Sequence, residues 1–275
     1  MSSSSVHDDL IRTRRVSAPP GLFMDHVNVI LIGETPLALL DSAYAETTEN
    51  LLAWLREAAP GGLDMLILTH FHRDHLGGAE AVCKATGVKV YAHPIEIPLM
   101  KERAPSLKID PVEEGMKLRF GEMKLEALLT PGHSPGHLSF WWEEERILFG
   151  GDNVLLPTTT SISPPFGRLS DYLRTLQRIL ALEPRVLYPG HGSPVRDPEG
   201  RIRALLAHRA QREEQVLAAL AKGPETPAGI AEGIYCGLGE ARIRMGTSMV
   251  RSHLEKLVEE GRARDEAGTF RLLER

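Results

Sequence analysis

Four potential metal ligands fall within six consecutive positions, His70-Phe71-His72-Arg73-Asp74-His75. The run follows directly on residues 65–69, a short apolar, β-compatible segment with a loop before it and polar residues after it. Side chains alternate along an extended chain, so a loop leaving such a strand aims His70 and His72 to one side. Asp74 and His75, further along the turn, then serve a second, adjacent position. Imidazole and carboxylate donors suit zinc, and also iron or manganese. A chain carrying this run has to fold so that a buried strand ends at a cavity and other segments bring further ligands to it.

Such segments are present, each just after a predicted strand. His133 follows Pro131-Gly132 and the strand 123–129; Asp152 follows Gly150-Gly151 and the strand 146–149; His191, in Pro189-Gly190-His191-Gly192, follows the strand 186–188. Ligands at several strand ends converge on one edge of a sandwich, and the glycines let the backbone approach closely. Further strands are expected at 27–32, 37–41, 89–92, 116–119 and 138–142. Helices are expected at 47–59, 76–86 and 169–182, the last with Ser170 as its cap. Strand pairs interleaved with helices argue for a layered α/β sandwich with mixed sheets. Near residue 197 the pattern changes to a long helix over 201–222, a short one around 228–233, another over 247–260 and a terminal hairpin. That is the outline of a winged-helix-like module. The expected division is a flexible lead-in over 1–20, the α/β catalytic body over 21–200 and a small winged-helix-like domain over 201–275.

The run His70 to His75 resembles the H-x-H-x-D-H signature of the metallo-β-lactamase superfamily, and His133, Asp152 and His191 match its later motifs. The resemblance extends from about residue 23 to 197. It implies an αββα sandwich in which His70, His72 and His133 hold one divalent ion, Asp74, His75 and His191 hold a second, and Asp152 bridges them. Two ions per chain are the implied cofactors, zinc first, with iron and manganese as alternatives. Two such ions about 3.5–4 Å apart generate hydroxide at neutral pH and polarise the bond under attack. Asp74 and Asp152 are the candidates for carrying the proton to the leaving group. An aspartate at 152 places the chain beside glyoxalase-II-like and nuclease-like hydrolases rather than enzymes that open antibiotics. Asp41 matches a position whose carboxylate orients a ligand imidazole, although Ala43 stands where the family usually has glycine. His137 reads either as a support or substrate-facing group or as strand-edge packing, and Arg73 as a substrate contact or an ion pair. His93 reads as a strand-end residue. No spacing implicates His7, His26, His208 or His253.

The C-terminal outline is similar to a subgroup of that superfamily containing both single-strand endoribonucleases and thioesterases, so charge has to choose between them. The chain carries 32 Lys+Arg against 37 Asp+Glu, a net −5. Residues 201–275 hold 13 basic and 11 acidic side chains, which leaves −7 on the rest. That is no basic footprint for nucleic acid. The expectation is therefore a dinuclear metallo-hydrolase cleaving a small ester or thioester through a metal-bridging hydroxide. A single-strand endoribonuclease stands second and a mononuclear-iron sulfur dioxygenase third. No apolar run approaches the roughly 20 residues of a membrane span. The N-terminal residues lack the apolar stretch of an export signal. Cys83 and Cys236 lie far apart, outside any C-x-x-C spacing. The chain is expected to be cytoplasmic, with free thiols and no membrane partner; its oligomeric state is left open.

Overall fold

The structure is a computed structural model that describes residues 10–22 and 24–273. Two compact units account for it, and neither is one continuous stretch of sequence. The first takes the chain up to Thr130, then Gly136–Thr158 and Leu182–Pro198. Its first sheet has six strands in chain order: β1 (Ile11–Ser17), β2 (His26–Gly33), β3 (Leu37–Leu40), β4 (Met65–Ile67), β5 (Lys89–Ala92) and β6 (Ile109–Pro111). Neighbours are antiparallel as far as β3 and parallel from β3 to β6. Parallel neighbours require crossovers, supplied by α1 (Thr48–Ala58), α2 (Arg73–Leu76), α3 (Ala79–Thr86) and α4 (Glu96–Arg103).

The period of two along these strands divides their side chains between two cores. Val27, Val29, Leu31, Leu37, Leu39 and Leu66 pack with Leu51 and Leu55 of α1 and Val82 of α3. Ile30, Ile32, Ala38, Leu40 and Ile67 pack instead with Phe120, Leu125, Phe140 and Phe149 of a second sheet. That sheet contains β7 (Lys117–Phe120), β8 (Met123–Leu129), β9 (Leu138–Trp142) and β10 (Ile147–Gly151), antiparallel in sequence order, with β11 (Val186–Pro189) parallel to β10. Parallel pairing sets the C-terminal ends of β3 and β4 side by side, and likewise those of β10 and β11. Asp41, His70, Asp152 and His191 follow these ends closely.

Three elements of this unit differ from the sequence reading. The expected lead-in over 1–20 contains β1, paired with β2 along Ile11–Ser17; its first nine residues lie outside the described ones. β1 is hard to read because only Ile11 and Val16 are fully buried, one in each core, while Arg14 and Arg15 are exposed and Arg12 is half-buried, donating to Ala58 O. The sequence reading assigned nothing to α4 and β6. Pro94 and Pro98 obscure α4, yet Pro98 sits in its first turn, where a missing N–H costs the helix nothing.

The second unit comprises Pro131–Pro135, Thr159–Ala181 and Glu199–Arg275. It holds α5 (Leu169–Ala181), most of α6 (Pro198–Leu220), α7 (Pro227–Ile234), α8 (Glu240–Glu259) and a hairpin of β12 (Ala263–Glu266) and β13 (Thr269–Leu272). Val216, Leu220, Ile230, Val250, Leu254, Leu257 and Phe270 form its core. Thr226 caps α7 by accepting the N–H of Gly229 at 3.1 Å. The sequence reading placed a boundary near residue 200, but two earlier segments also belong here. Gly132 O accepts the N–H of Arg168, Arg209 donates to Thr160 O and Ser252 donates to Ile162 O. Helix α8 begins at Glu240 rather than 247 because Gly246 is no breaker. It lies in the helix against the Tyr235 ring, where a Cβ would come within 2.3 Å of Cε2. Ser252 of this helix is buried, and Val258 is exposed. Ser170 is inside α5 and donates to Glu259 instead of capping. Cys83 and Cys236 are free thiols. Among the described residues no helix is long and apolar enough to cross a membrane.

Candidate metal centre

Within the first unit the structure brings together His70, His72, Asp74, His75, Asp152 and His191. His70, fully buried beyond the end of β4, uses Nδ1 on Thr69 Oγ1 at 3.0 Å. Thr69 Oγ1 in turn donates to Asp41 Oδ2 at 2.9 Å. The relay leaves Nε2 of His70 on the inner side, 2.9 Å from His72 Nδ1. His75 donates from Nδ1 to Asp41 Oδ2 at 2.7 Å, and its Nε2 lies 3.5 Å from Asp152 Oδ1 and 3.7 Å from Asp74 Oδ2. His191 donates from Nδ1 to His26 O at 2.6 Å, and its Nε2 lies 3.1 Å from Asp74 Oδ2 and 3.5 Å from Asp152 Oδ2. A protein acceptor on Nδ1 fixes each ring and its tautomer and turns the Nε2 lone pair inward, the arrangement of metal-ligating histidines. Ligand atoms of His70, His75 and Asp152 lie within 4.8 Å of one another, as do those of Asp74, His75 and His191.

The remaining expected ligand, His133, lies in the Pro131–Pro135 turn of the second unit. It is buried, and its Nδ1 donates to Ser161 O at 2.7 Å. The turn leaves the first unit after Thr130 and rejoins it at Gly136.

Burial works against every charge in this cluster, yet the charges hold one another. Asp74 is burdened by burial but pulled down to about 2 by the His75 charge and a hydrogen bond from His191. Asp152 goes well below the carboxylate range against its burial, through His191 and His75. Burial disfavours the imidazolium of His191, but Asp152 and Asp74 raise it to about 10. His75 is likewise raised, against burial, by Asp41, Asp152 and Asp74. Without an ion, protons on the histidines neutralise the carboxylates. His75 Nε2 is nevertheless buried with no hydrogen-bond partner, a costly state that a cation relieves. The donor set, nitrogen and carboxylate oxygen together, fits zinc and also iron or manganese.

Several supports of the site were legible only in part. Asp41, matched by resemblance, accepts from Thr69 N and His75 Nδ1 at 2.8 and 2.7 Å, with a left-handed φ of 62°. His137 accepts the N–H of Asp152 on Nε2 at 3.1 Å, which leaves Nδ1 to donate to Thr130 Oγ1 at 2.9 Å. It thus supports the Asp152 backbone. Arg73 makes an ion pair with Glu46 at 2.5 Å. His93 accepts the N–H of Ile95 at the end of β5. Sequence reasoning missed His26, whose carbonyl orients His191 and whose Nε2 accepts the N–H of Gly192. It also missed Asn28, which donates to Pro189 O and Gly192 O, both at 2.9 Å, and so brackets His191. Alternation hides Asn28 in an apolar strand.

The family model of the metallo-beta-lactamase superfamily matches residues 23–191. A beta-lactamase-like protein 2 homolog of Caenorhabditis elegans is 28% identical over 258 residues, 90% of this chain and 84% of that protein. The atrochrysone carboxyl ACP thioesterase dmxR1 of Cryptosporiopsis sp. (strain 8999) is 35% identical over 158 residues, 58% of this chain and 46% of that protein. Among solved structures, the metallo-beta-lactamase family protein TTHA1429 of Thermus thermophilus superposes with a TM-score of 0.80 at 26% identity, covering 95% of this chain and 98% of that one. TTHA1623 in a di-iron-bound form superposes with a TM-score of 0.57 at 30% identity, covering 69% and 98%. The mixed α/β fold is the one these structures share, and the chain belongs to the metallo-beta-lactamase superfamily.

Proposed function

We propose that the chain is a dinuclear metallo-hydrolase of a small ester or thioester. The observation that carries this is the inward-turned set of imidazole Nε2 atoms around Asp152 and Asp74, each ring held from behind by a protein acceptor. His70 and His72, joined by His133 as the resemblance implies, would hold one ion. Asp74, His75 and His191 would hold the other, with Asp152 between them. Divalent ions so bound, zinc or, as in the di-iron relative, iron, would supply hydroxide at neutral pH and polarise a carbonyl. Asp74 and Asp152, whose carboxylates lie beside His191 and His75, are the groups that take up the proton that attack releases and return it to the departing thiolate or alkoxide.

A thioester is favoured over nucleic acid by the thioesterase-named relative and by the charges of the second unit. Arg203, Arg244 and Arg251 pair with Glu199, Glu240 and Glu255, Lys256 and Arg262 with Glu213, and Arg264 and Arg271 with Glu266. Arg168 pairs with Glu259. We take the helices and hairpin of that unit as a winged-helix-like module and assign it to the substrate's carrier or acyl group rather than to a phosphate backbone. The test compares purified protein on an acyl-thioester panel and on a single-stranded RNA oligonucleotide, with an Asp152→Ala control and a chelator. Chelator-sensitive thioester turnover that is lost in the control, with intact RNA, is the expected result. RNA cleavage lost in the control, with thioesters untouched, would overturn the assignment.

A further inference from the structure

Helix α4, unassigned from the sequence, places a fully buried carboxylate between two ligand-bearing loops. Glu96 Oε2 accepts the backbone N–H of Phe71 at 2.8 Å, in the middle of the His70–His75 run. Its Oε1 accepts the backbone N–H of Gly136 at 2.7 Å, three residues after His133. The contact with Gly136 is tight: a Cβ there would lie 2.9 Å from Glu96 Cγ and 2.9 Å from Ile95 Cβ. A buried carboxylate is costly unless it is hydrogen-bonded, and here main-chain donors from segments 65 residues apart each take one of its oxygens. An ionised carboxylate accepts on both oxygens, whereas an amide accepts on one and donates from the other side. Glutamate is therefore the residue that serves both loops at once.

On the dinuclear reading above, we propose that Glu96 is a positioning residue for the ion held on the His70 and His72 side. It fixes the peptide between those two histidines, and so the angle between their rings, and it ties that peptide to the end of the turn that carries His133. The ion at Asp74, His75 and His191 has separate supports, Asp41 behind His75 and His26 behind His191. Losing Glu96 thus affects the two ions unequally.

The experiment titrates metal-free protein with zinc against a chromophoric chelator and records the melting of the metal-free chains. Glu96→Gln is compared with wild type in two backgrounds, His191→Ala, which leaves the His70–His72 side, and His72→Ala, which leaves the other. The expected result is an affinity loss of about 10- to 100-fold in the first background and less than about threefold in the second. Gly136→Ala, which displaces Glu96 without altering its charge, is expected to give the same asymmetry, and it carries the test if Glu96→Gln does not fold. Equal losses in both backgrounds, or a lower melting temperature with both affinities unchanged, would overturn the proposal and leave Glu96 a packing residue. The dinuclear reading is tested separately by the wild-type stoichiometry. If wild type binds a single ion that reading falls, and the Glu96 proposal then stands or falls on whether Glu96→Gln weakens that ion.

Discussion

Replacing Asp41 with asparagine isolates one carboxylate oxygen. Asp41 is 2% exposed and accepts three donors: Thr69 N at 2.8 Å, Thr69 Oγ1 at 2.9 Å and His75 Nδ1 at 2.7 Å. Its φ of 62° is left-handed, a conformation asparagine tolerates as well as aspartate does. Asp41→Asn therefore adds no backbone strain. The amide keeps its oxygen on Thr69 N and turns its NH₂ toward His75, so a donor meets a donor. In the singly protonated ring that an ion requires, the proton of His75 then moves to Nε2, the atom that faces Asp152 and Asp74. Loss of a buried hydrogen bond to a charged acceptor costs about 1.5–3 kcal/mol of stability in the metal-free chain. Loss of the orienting carboxylate costs about 10- to 100-fold in metal affinity, equivalent to about 1.4–2.7 kcal/mol. The assay is chelator-competition titration with urea unfolding of the metal-free chain. The weakening should fall mainly on the ion at Asp74, His75 and His191, opposite to the pattern expected for Glu96→Gln. A folded variant with both affinities unchanged would refute the reasoning and reduce Asp41 to an anchor for the Thr69 backbone.

Three further perturbations follow from the same geometry. Gly190→Ala puts a methyl group 2.3 Å from Asp152 Oδ1 and 2.8 Å from His75 Cε1, so bound metal, measured by elemental analysis, should fall below one ion per chain while helical circular dichroism persists. Because His191 titrates near 10 and His75 is also raised in the metal-free protein, ion entry displaces protons. Zinc affinity should climb between pH 6 and 8 by up to about tenfold per unit for each proton released, and calorimetry in buffers of different ionisation enthalpy should detect those protons; a flat profile would contradict the charge assignment. In the second unit, Glu213 is lowered to about 2 by the His253 ring 3.9 Å away and by its ion pairs with Lys256 and Arg262, against its burial. A carboxylate lowered on folding stabilises above its unfolded pKa and loses that contribution as pH falls toward the folded value. Glu213→Gln should therefore cost about 1–2 kcal/mol at pH 7 and almost nothing near pH 2, as read from denaturant midpoints.

How far the sequence reaches is visible in particular residues. The H-x-H-x-D-H run declared its chemistry because four potential metal ligands stand within six positions, and the strands before His70, Asp152 and His191 declared themselves as apolar runs bounded by turn residues. Their conversion into one edge follows from strand ends, which periodicity locates without any knowledge of strand order. Strand β1 and helix α4 escaped, one because three arginines mask two buried residues, the other because prolines stand at its start. The supports of the site escaped more completely. Asn28 reaches Pro189 across 161 residues, His26 reaches His191 across 165, and Glu96 spans 25 residues to Phe71 and 40 to Gly136. The sequence by itself determined the ligand types, their order and the strand ends that carry them. The tertiary structure alone decided which nitrogen of each imidazole faces inward and what holds it there. Ligand chemistry and periodicity are properties of neighbours along the chain, whereas a hydrogen bond between distant segments depends on register, strand order and crossover path, which arise only when the whole chain has packed.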